Sequence, residues 1–346
     1  MSEIDIRVEG RAGRITLNRP EALNALTDEM IHAIDAAIDA WRGDDSVALV
    51  LIDAAGERAF AAGGDIRDLY RAGREGDFTF GRGFWAFEYR LNAKIARYPK
   101  PYVAIMHGFV MGGGVGISAL GSHRIVTDGT EVAMPECGIG LVPDVGGSKL
   151  LADAPGRIGE YLGMTGARMG PADAIHAGFA DVYVPKDRIE ALKARLVETG
   201  DAGDIAGFAK EPEGGELAHF QPSIDDAFDA ASPEALEATL KSAADAGLLP
   251  WAAAALKALR RACPLSVACT MEMVRAAREL TLEEALAQEY RFTARCMEQG
   301  EFLEGVRAAV IDKDRAPKWA KPALADVTAA DVRAMLAPLG ADELKL

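Results

Sequence analysis

Cysteine is scarce in this sequence and poorly placed for pairing. Four of the 346 residues, Cys137, Cys263, Cys269 and Cys296, are spread out without a C-x-x-C pair. Neither a disulfide framework nor a cysteine–zinc site is indicated, and a reducing compartment, the cytoplasm, is the expectation. Positive charge is also in deficit. Thirty-eight Lys and Arg stand against 53 Asp and Glu, a net charge of −15, which disfavours nucleic acid or an anionic membrane as a partner. A local Arg, Lys or helix N-terminus could still hold an anionic ligand against that field. No apolar run reaches the ~18 residues of a spanning helix. The opening Met-Ser-Glu-Ile-Asp-Ile has no basic stretch leading into an apolar one, so no secretion signal is expected. Three catalytic signatures are missing too: the G-x-S-x-G elbow, the phosphate loop G-x-x-x-x-G-K-[ST], and G-x-G-x-x-G.

What is present is an ordinary globular composition, 49% hydrophobic and 26% charged, in a chain long enough for two or three domains or one domain with an appendage. Residues 4–17 read as a hairpin around Gly10 and Gly13. Thr27 looks like the N-cap of a helix carrying Met30, Ile31, Ile34, Ile38 and Trp41 at helical spacing. Val47–Ile52 and Pro101–Met106 are apolar runs of buried-strand length. Strand and helix alternate to about residue 185, which argues for βα layers over a largely buried sheet. Leu150–Thr165 reads as one helix. From Lys186 onward the pattern is helical, with 210–225 the most linker-like stretch. The expected division is therefore a core domain, 1–200, and a helical region, 201–346.

Three segments carry chemistry. In Met134–Ser148, Glu136 and Asp144 stand eight residues apart among apolar residues, Gly and Pro. Pro143 rules out a continuous helix, so a loop must bring both acids against an apolar wall, where desolvation raises a carboxyl pKa and suits it to acid–base or nucleophilic work. The alternative is a surface loop whose acids cap helices. Ala59–Ile66 and His107–Ser118 are small-residue turns, each after a strand and opening a helix. Such turns bare backbone N–H groups that can converge on an oxyanion, or they serve only close packing. Glu88 lies on a helix, and His107 and His123 flank the second turn.

Ala-Phe-Ala-Ala-Gly-Gly-Asp-Ile (59–66), His-Gly-Phe-Val-Met-Gly-Gly-Gly-Val-Gly (107–116) and Met-Pro-Glu-Cys-Gly-Ile-Gly-Leu-Val-Pro-Asp-Val-Gly-Gly (134–147) resemble the crotonase superfamily of enoyl-CoA hydratases and isomerases. The likeness is strongest to its branch of 3-hydroxyisobutyryl-CoA hydrolases. It continues through Cys-Pro-Leu-Ser (263–266), Glu-Tyr-Arg (289–291), Glu-Gly-Val-Arg-Ala (304–308) and Ile-Asp-Lys-Asp-Arg-Ala-Pro-Lys-Trp (311–319), and is weakest around 200–245. The resemblance implies an α/β fold, a crotonase-like spiral of repeated ββα units with a helical C-terminal region, and a CoA thioester as substrate. It puts the two oxyanion donors on the N–H groups of Gly64 and Gly113, the acidic pair on Glu136 and Asp144, a substrate-contacting glutamate on Glu88, and the adenine end of CoA against backbone near Ala62. A homo-oligomer, trimer or hexamer, is possible, and no cofactor or metal is expected beyond the CoA of the substrate.

One departure matters. Hydratases of the superfamily carry a second catalytic glutamate two residues after the central glycines, and here that residue is Gly116. A positioned acid–base group is worth ~10²–10⁴-fold, so its loss argues against water addition. Asp144, where hydratases usually have glycine, supplies a different carboxylate. The expectation is hydrolysis of a short 3-hydroxyacyl-CoA, as in valine catabolism, with Glu136 as nucleophile or as general base. Two alternatives stand beside it: a hydratase or isomerase using Glu136 alone, and a non-catalytic CoA-thioester binder.

Overall fold

The computed structural model describes residues 2–247 and 249–346. Among the described residues nine strands occur in chain order: β1 (Ile4–Glu9), β2 (Ala12–Leu17), β3 (Leu49–Ala54), β4 (Ala59–Ala61), β5 (Tyr102–Met106), β6 (Phe109–Met111), β7 (His123–Val126), β8 (Glu131–Ala133) and β9 (Val182–Tyr183). They form a six-stranded sheet, β1-β2-β3-β5-β7-β9, and a three-stranded sheet, β4-β6-β8. Among the pairs of these strands, β1–β2 alone is antiparallel. The expected repeat is visible in this order. Each of the pairs β3–β4, β5–β6 and β7–β8 gives one strand to the large sheet and the next to the small one. Short strands rich in Val, Ile, Leu and Ala suit such a sheet, because both faces of a parallel sheet are covered.

By packing, the chain gathers into two compact units, each assembled from three stretches. The first comprises residues 1–65, 90–133 and 168–216 and contains every strand. Its core sets Leu49, Leu51, Val103, Ile105 and Ile125 of the large sheet against Ile189, Leu192 and Leu196 of the helix Lys186–Thr199. Each such side chain contributes about 1.5–3 kcal/mol when fully buried. Thr27 caps the helix Asp28–Arg42 by accepting from the Met30 N–H, and Met30, Ile31, Ile34, Ile38 and Trp41 form its buried face.

The second unit comprises residues 66–89, 134–167 and 217–346, and its regular elements are helical. Three of its helices bury acidic side chains; two of them matter for the site, and Ile158–Thr165 carries the third, Glu160. The first is Phe78–Ala96, whose initial part, through Tyr89, belongs to this unit and includes buried Glu88. The other, Leu282–Cys296, opens with a capping box between Thr281 and Glu284 and buries Leu286, Glu289, Tyr290, Phe292 and Thr293. Tyr161, Phe228 and Trp251 meet edge-on or tilted at 5.7–6.4 Å. Beside them, buried Glu160 is held by Arg157 at 2.9 Å and Arg278 at 3.1 Å.

Two sequence expectations need correction. Leu150–Thr165 is not one helix: Gly147–Asp153 and Ile158–Thr165 are separated at Pro155 and Gly156, where proline removes a helical donor and glycine weakens propensity. The linker-like stretch 210–225 is irregular only to residue 216, since Leu217–Phe228 is a helix with Pro222 inside it. The division near residue 200 follows a change in secondary-structure type, whereas the compact units follow packing and cross it.

Candidate active site

In the second unit, the loop Met134–Ser148 behaves as its composition suggests. Glu136 opens a single 3₁₀ turn, Glu136–Ile139, that Gly140 ends in the left-handed region. The chain then runs irregularly to the helix Gly147–Asp153. Besides Glu160, which is paired with arginines, four carboxylates of this unit are almost sealed from solvent: Glu136 (5% exposed), Asp144 (4%), Glu88 (3%) and Glu289 (0%). Burial of one charge is costly, and like charges in one pocket cannot all ionise at neutral pH.

The partners differ sharply. The Tyr89 hydroxyl donates to Asp144 Oδ2 at 2.7 Å, and the Tyr89 ring meets Tyr290 edge-on at 6.4 Å. Glu289 accepts three bonds: from Gly146 N–H at 2.9 Å, Ser148 N–H at 3.0 Å and the Ser148 hydroxyl at 2.5 Å. Glu136 Oε2 is buried with no hydrogen-bond partner among the described residues. An unsatisfied buried carboxylate oxygen is rare in a folded protein, and a waiting reactant is one physical reason for it.

Electrostatics follow from this placement. Burial pushes the Glu136 carboxyl well above its ordinary range, and Asp144 and Glu289 add to the effect. Burial, then Asp144, does the same to Glu88. Asp144 is pushed up to about 7 by burial, against the pull of the Tyr89 hydroxyl. Burial also raises Glu289, to about 8, although its Ser148 and Gly146 donors act to lower it. All four carboxyls are thus displaced in the same direction, towards the range in which a carboxyl serves general acid–base chemistry at neutral pH.

The glycine turns lie in the first unit. β4 and β6 are parallel neighbours, so the turns that follow them, Ala62–Asp65 and Gly112–Gly113, leave the same end of the small sheet. Leu26 N–H donates to Gly63 O at 2.9 Å and Asp65 N–H donates to Leu26 O at 2.8 Å. Gly64, bridged to Leu26 between these bonds, donates its own N–H to no backbone acceptor among the described residues. Gly113 opens the short turn Gly113–Gly116, where first-turn N–H groups have no partner within the helix. Glycine is required beside it: a Cβ on Gly114 would sit 2.6 Å from the Ala61 carbonyl oxygen, so only a bare backbone allows this approach. Ala62 is half-buried, with its N–H bonded to Leu23 O at 3.0 Å.

Glu88, Glu136 and Asp144 are thus gathered in one unit, and Ala62, Gly64 and Gly113 in the other. Tyr89, Ser148, Glu289 and Thr293 join the acids without having been singled out for a role from sequence. The available signal was Glu289 itself, an acid on the apolar stripe of a helix between Leu286 and Phe292. His123 bonds Ser122 at 2.9 Å on a strand, and burial lowers the pKa of His107, as for packed histidines. A cavity of about 390 Å³ has Cys137, Met164, Arg261 and Arg315 among its walls, and none of the four acids lines it.

The pattern described as enoyl-CoA hydratase/isomerase matches residues 12–336. A mitochondrial 3-hydroxyisobutyryl-CoA hydrolase of Danio rerio is 39% identical, with 100% of this chain and 92% of the relative covered. The Homo sapiens protein of the same name is 35% identical over 99% and 90%. Among solved structures, an enoyl-CoA hydratase from Rhodobacter sphaeroides is 51% identical with a TM-score of 0.95, covering 100% of both chains. A carnitinyl-CoA dehydratase from Mycobacterium thermoresistibile is 43% identical with a TM-score of 0.94, covering 100% of this chain and 99% of that one. The ββα repeat, the paired glycine turns and likeness running through both units have one reading: the chain belongs to the enoyl-CoA hydratase/isomerase family, the crotonase superfamily.

Proposed function

We propose that this crotonase-family enzyme hydrolyses a short 3-hydroxyacyl-CoA, 3-hydroxyisobutyryl-CoA in valine catabolism, to the free acid and CoA. The observation that carries the proposal is the buried carboxylate cluster, in which Glu136 keeps an oxygen without a partner while Asp144 is held by Tyr89. Names alone do not decide, since two curated relatives are called hydrolases and two similar solved structures a hydratase and a dehydratase. Gly116 favours hydrolysis: the residue that would complete a hydratase's glutamate pair has no side chain.

In the proposed reaction the thioester carbonyl oxygen takes up negative charge, and the N–H groups of Gly64 and Gly113 stabilise it, a contribution of a few kcal/mol per donor. Glu136 either attacks the carbonyl carbon, forming a mixed anhydride as the C–S bond breaks, or removes a proton from a water that attacks instead. The departing thiolate takes up a proton to become CoA. In the first route water then cleaves the anhydride, returning the Glu136 carboxylate. Asp144 either orients the 3-hydroxyl or assists the proton transfer, Glu88 helps hold that hydroxyl, and backbone near Ala62 meets the adenine.

Thiol release from 3-hydroxyisobutyryl-CoA tests this, measured beside loss of the enoyl absorbance of crotonyl-CoA. Rapid thiol release with little hydration is expected. The reverse pattern would establish the second reading, hydration or isomerisation through Glu136 alone, which the name of the 51% identical structure favours.

A further inference from the structure

We infer that Glu289 is a positioning residue, clamping the turn that carries Asp144 so that the acid pair is aimed before substrate arrives; this rests on the proposed role of Glu136 and Asp144. The turn cannot hold itself. Val145 adopts φ +54°, in the left-handed region, a conformation costing a β-branched residue on the order of 1–3 kcal/mol unless its surroundings enforce it. Gly146, at φ +83°, continues the same curl. Both carboxylate oxygens of Glu289 are spent on the flanking groups: Oε2 takes the Gly146 N–H at 2.9 Å, and Oε1 takes the Ser148 N–H at 3.0 Å and hydroxyl at 2.5 Å. Val145 is thereby pinned on its C-terminal side, and Asp144, one residue earlier, is tied at its other end to the Tyr89 hydroxyl.

The helix that carries Glu289 reinforces the second tether. One turn further on, Thr293 Oγ1 lies 3.5 Å from the Tyr89 hydroxyl, and Tyr290 packs edge-on against the Tyr89 ring. One helix face therefore fixes the backbone after Asp144 and also the tyrosine that bonds its carboxylate. A fully buried carboxyl serving only stability would be an expensive choice, since apolar residues fill such a space at lower cost. Glu289 has a use that an apolar residue could not supply, namely two acceptor oxygens facing a strained turn.

The test compares Glu289→Gln and Ser148→Ala with wild type, each as a ratio of kcat on whichever acyl-CoA reaction the wild type performs. If wild type hydrates crotonyl-CoA and releases no thiol, the hydrolase reading fails while the ratio still judges Glu289. In Glu289→Gln the amide NH2 meets the Gly146 N–H or the Ser148 donors, so one side of the clamp opens. A displacement of about an ångström costs on the order of 10²-fold, so kcat is expected to fall about 100-fold with KM within threefold. The split between kcat and KM, read per folded molecule, separates aiming from mere folding. A loss of folded protein lowers kcat only in proportion to the folded fraction seen by circular dichroism, whereas a misaimed acid pair lowers kcat of the molecules that remain folded. Wild-type kcat, or a kcat that falls only in step with the folded fraction, overturns the inference. If Glu289→Gln does not fold, Ser148→Ala decides: a several-fold loss in kcat at unchanged KM supports the clamp, and wild-type kcat removes it.

Discussion

Glu136→Gln is expected to lower thiol release from 3-hydroxyisobutyryl-CoA by about 10³-fold, toward the upper end of what one positioned acid–base group supplies. The amide keeps the volume and the neutral hydrogen bonding of the side chain and removes its ability to attack or to accept a proton. Circular dichroism should be unchanged, because Glu136 Oε2 has no partner to lose. Asp144→Asn is expected to be severe as well, about 10²-fold. The pH dependence follows in sign. Burial raises the working carboxyls, with Asp144 at about 7, so the folded enzyme keeps protons that free carboxyls release near pH 4. If the anion is the active form, kcat is lost as pH falls through neutrality, not through 4–5. A Glu136→Gln enzyme within tenfold of wild type would remove Glu136 from the chemistry, and an ascending limb near pH 4.5 would contradict the raised carboxyl.

The second large effect concerns the substrate's hydroxyl. A site built to hydrogen-bond a hydroxyl leaves buried polar groups unpaired when the analogue lacks it, and such sites discriminate by ~10⁴–10⁵. Isobutyryl-CoA should therefore be turned over with kcat/KM lower by about 10³-fold or more relative to its 3-hydroxy counterpart. Glu88 is buried, and burial together with the nearby Asp144 pushes its carboxyl well above the ordinary range. Glu88→Leu should collapse the ratio to within about tenfold, and Glu88→Gln, which can still hydrogen-bond, should retain part of it. By contrast 3-hydroxypropionyl-CoA differs by one methyl, worth only ~1–3 kcal/mol. Equal turnover of isobutyryl-CoA would show that no hydroxyl pocket exists.

Legibility in the sequence tracked locality. The hairpin at residues 4–17, the Thr27-capped helix and the buried strand runs were readable because alternation, helical spacing and capping are short-range signals. The acids of Met134–Ser148 were readable for a related reason: apolar, Gly and Pro neighbours leave a carboxylate little access to water. The break at Pro155–Gly156 was also written locally, yet the apolar period on both sides masked it. The Glu289 clamp and the Tyr89 tether were hidden because they close over 143 and 55 residues of chain, and no periodicity reports which distant donor a buried acid will meet. The interleaving of the two compact units is likewise a consequence of long-range packing.

The scarce cysteines carry a practical corollary. All four are buried, at 2% exposure or less, and burial raises every one of these thiols above its ordinary pKa. Since only the thiolate reacts at useful speed, the native protein should be inert to a disulfide dye, which would count the sulfhydryl of liberated CoA alone. Adding denaturant should then uncover four equivalents per chain, making the same reagent a clock for unfolding. Rapid labelling of even one equivalent in native buffer would contradict the burial described for these side chains.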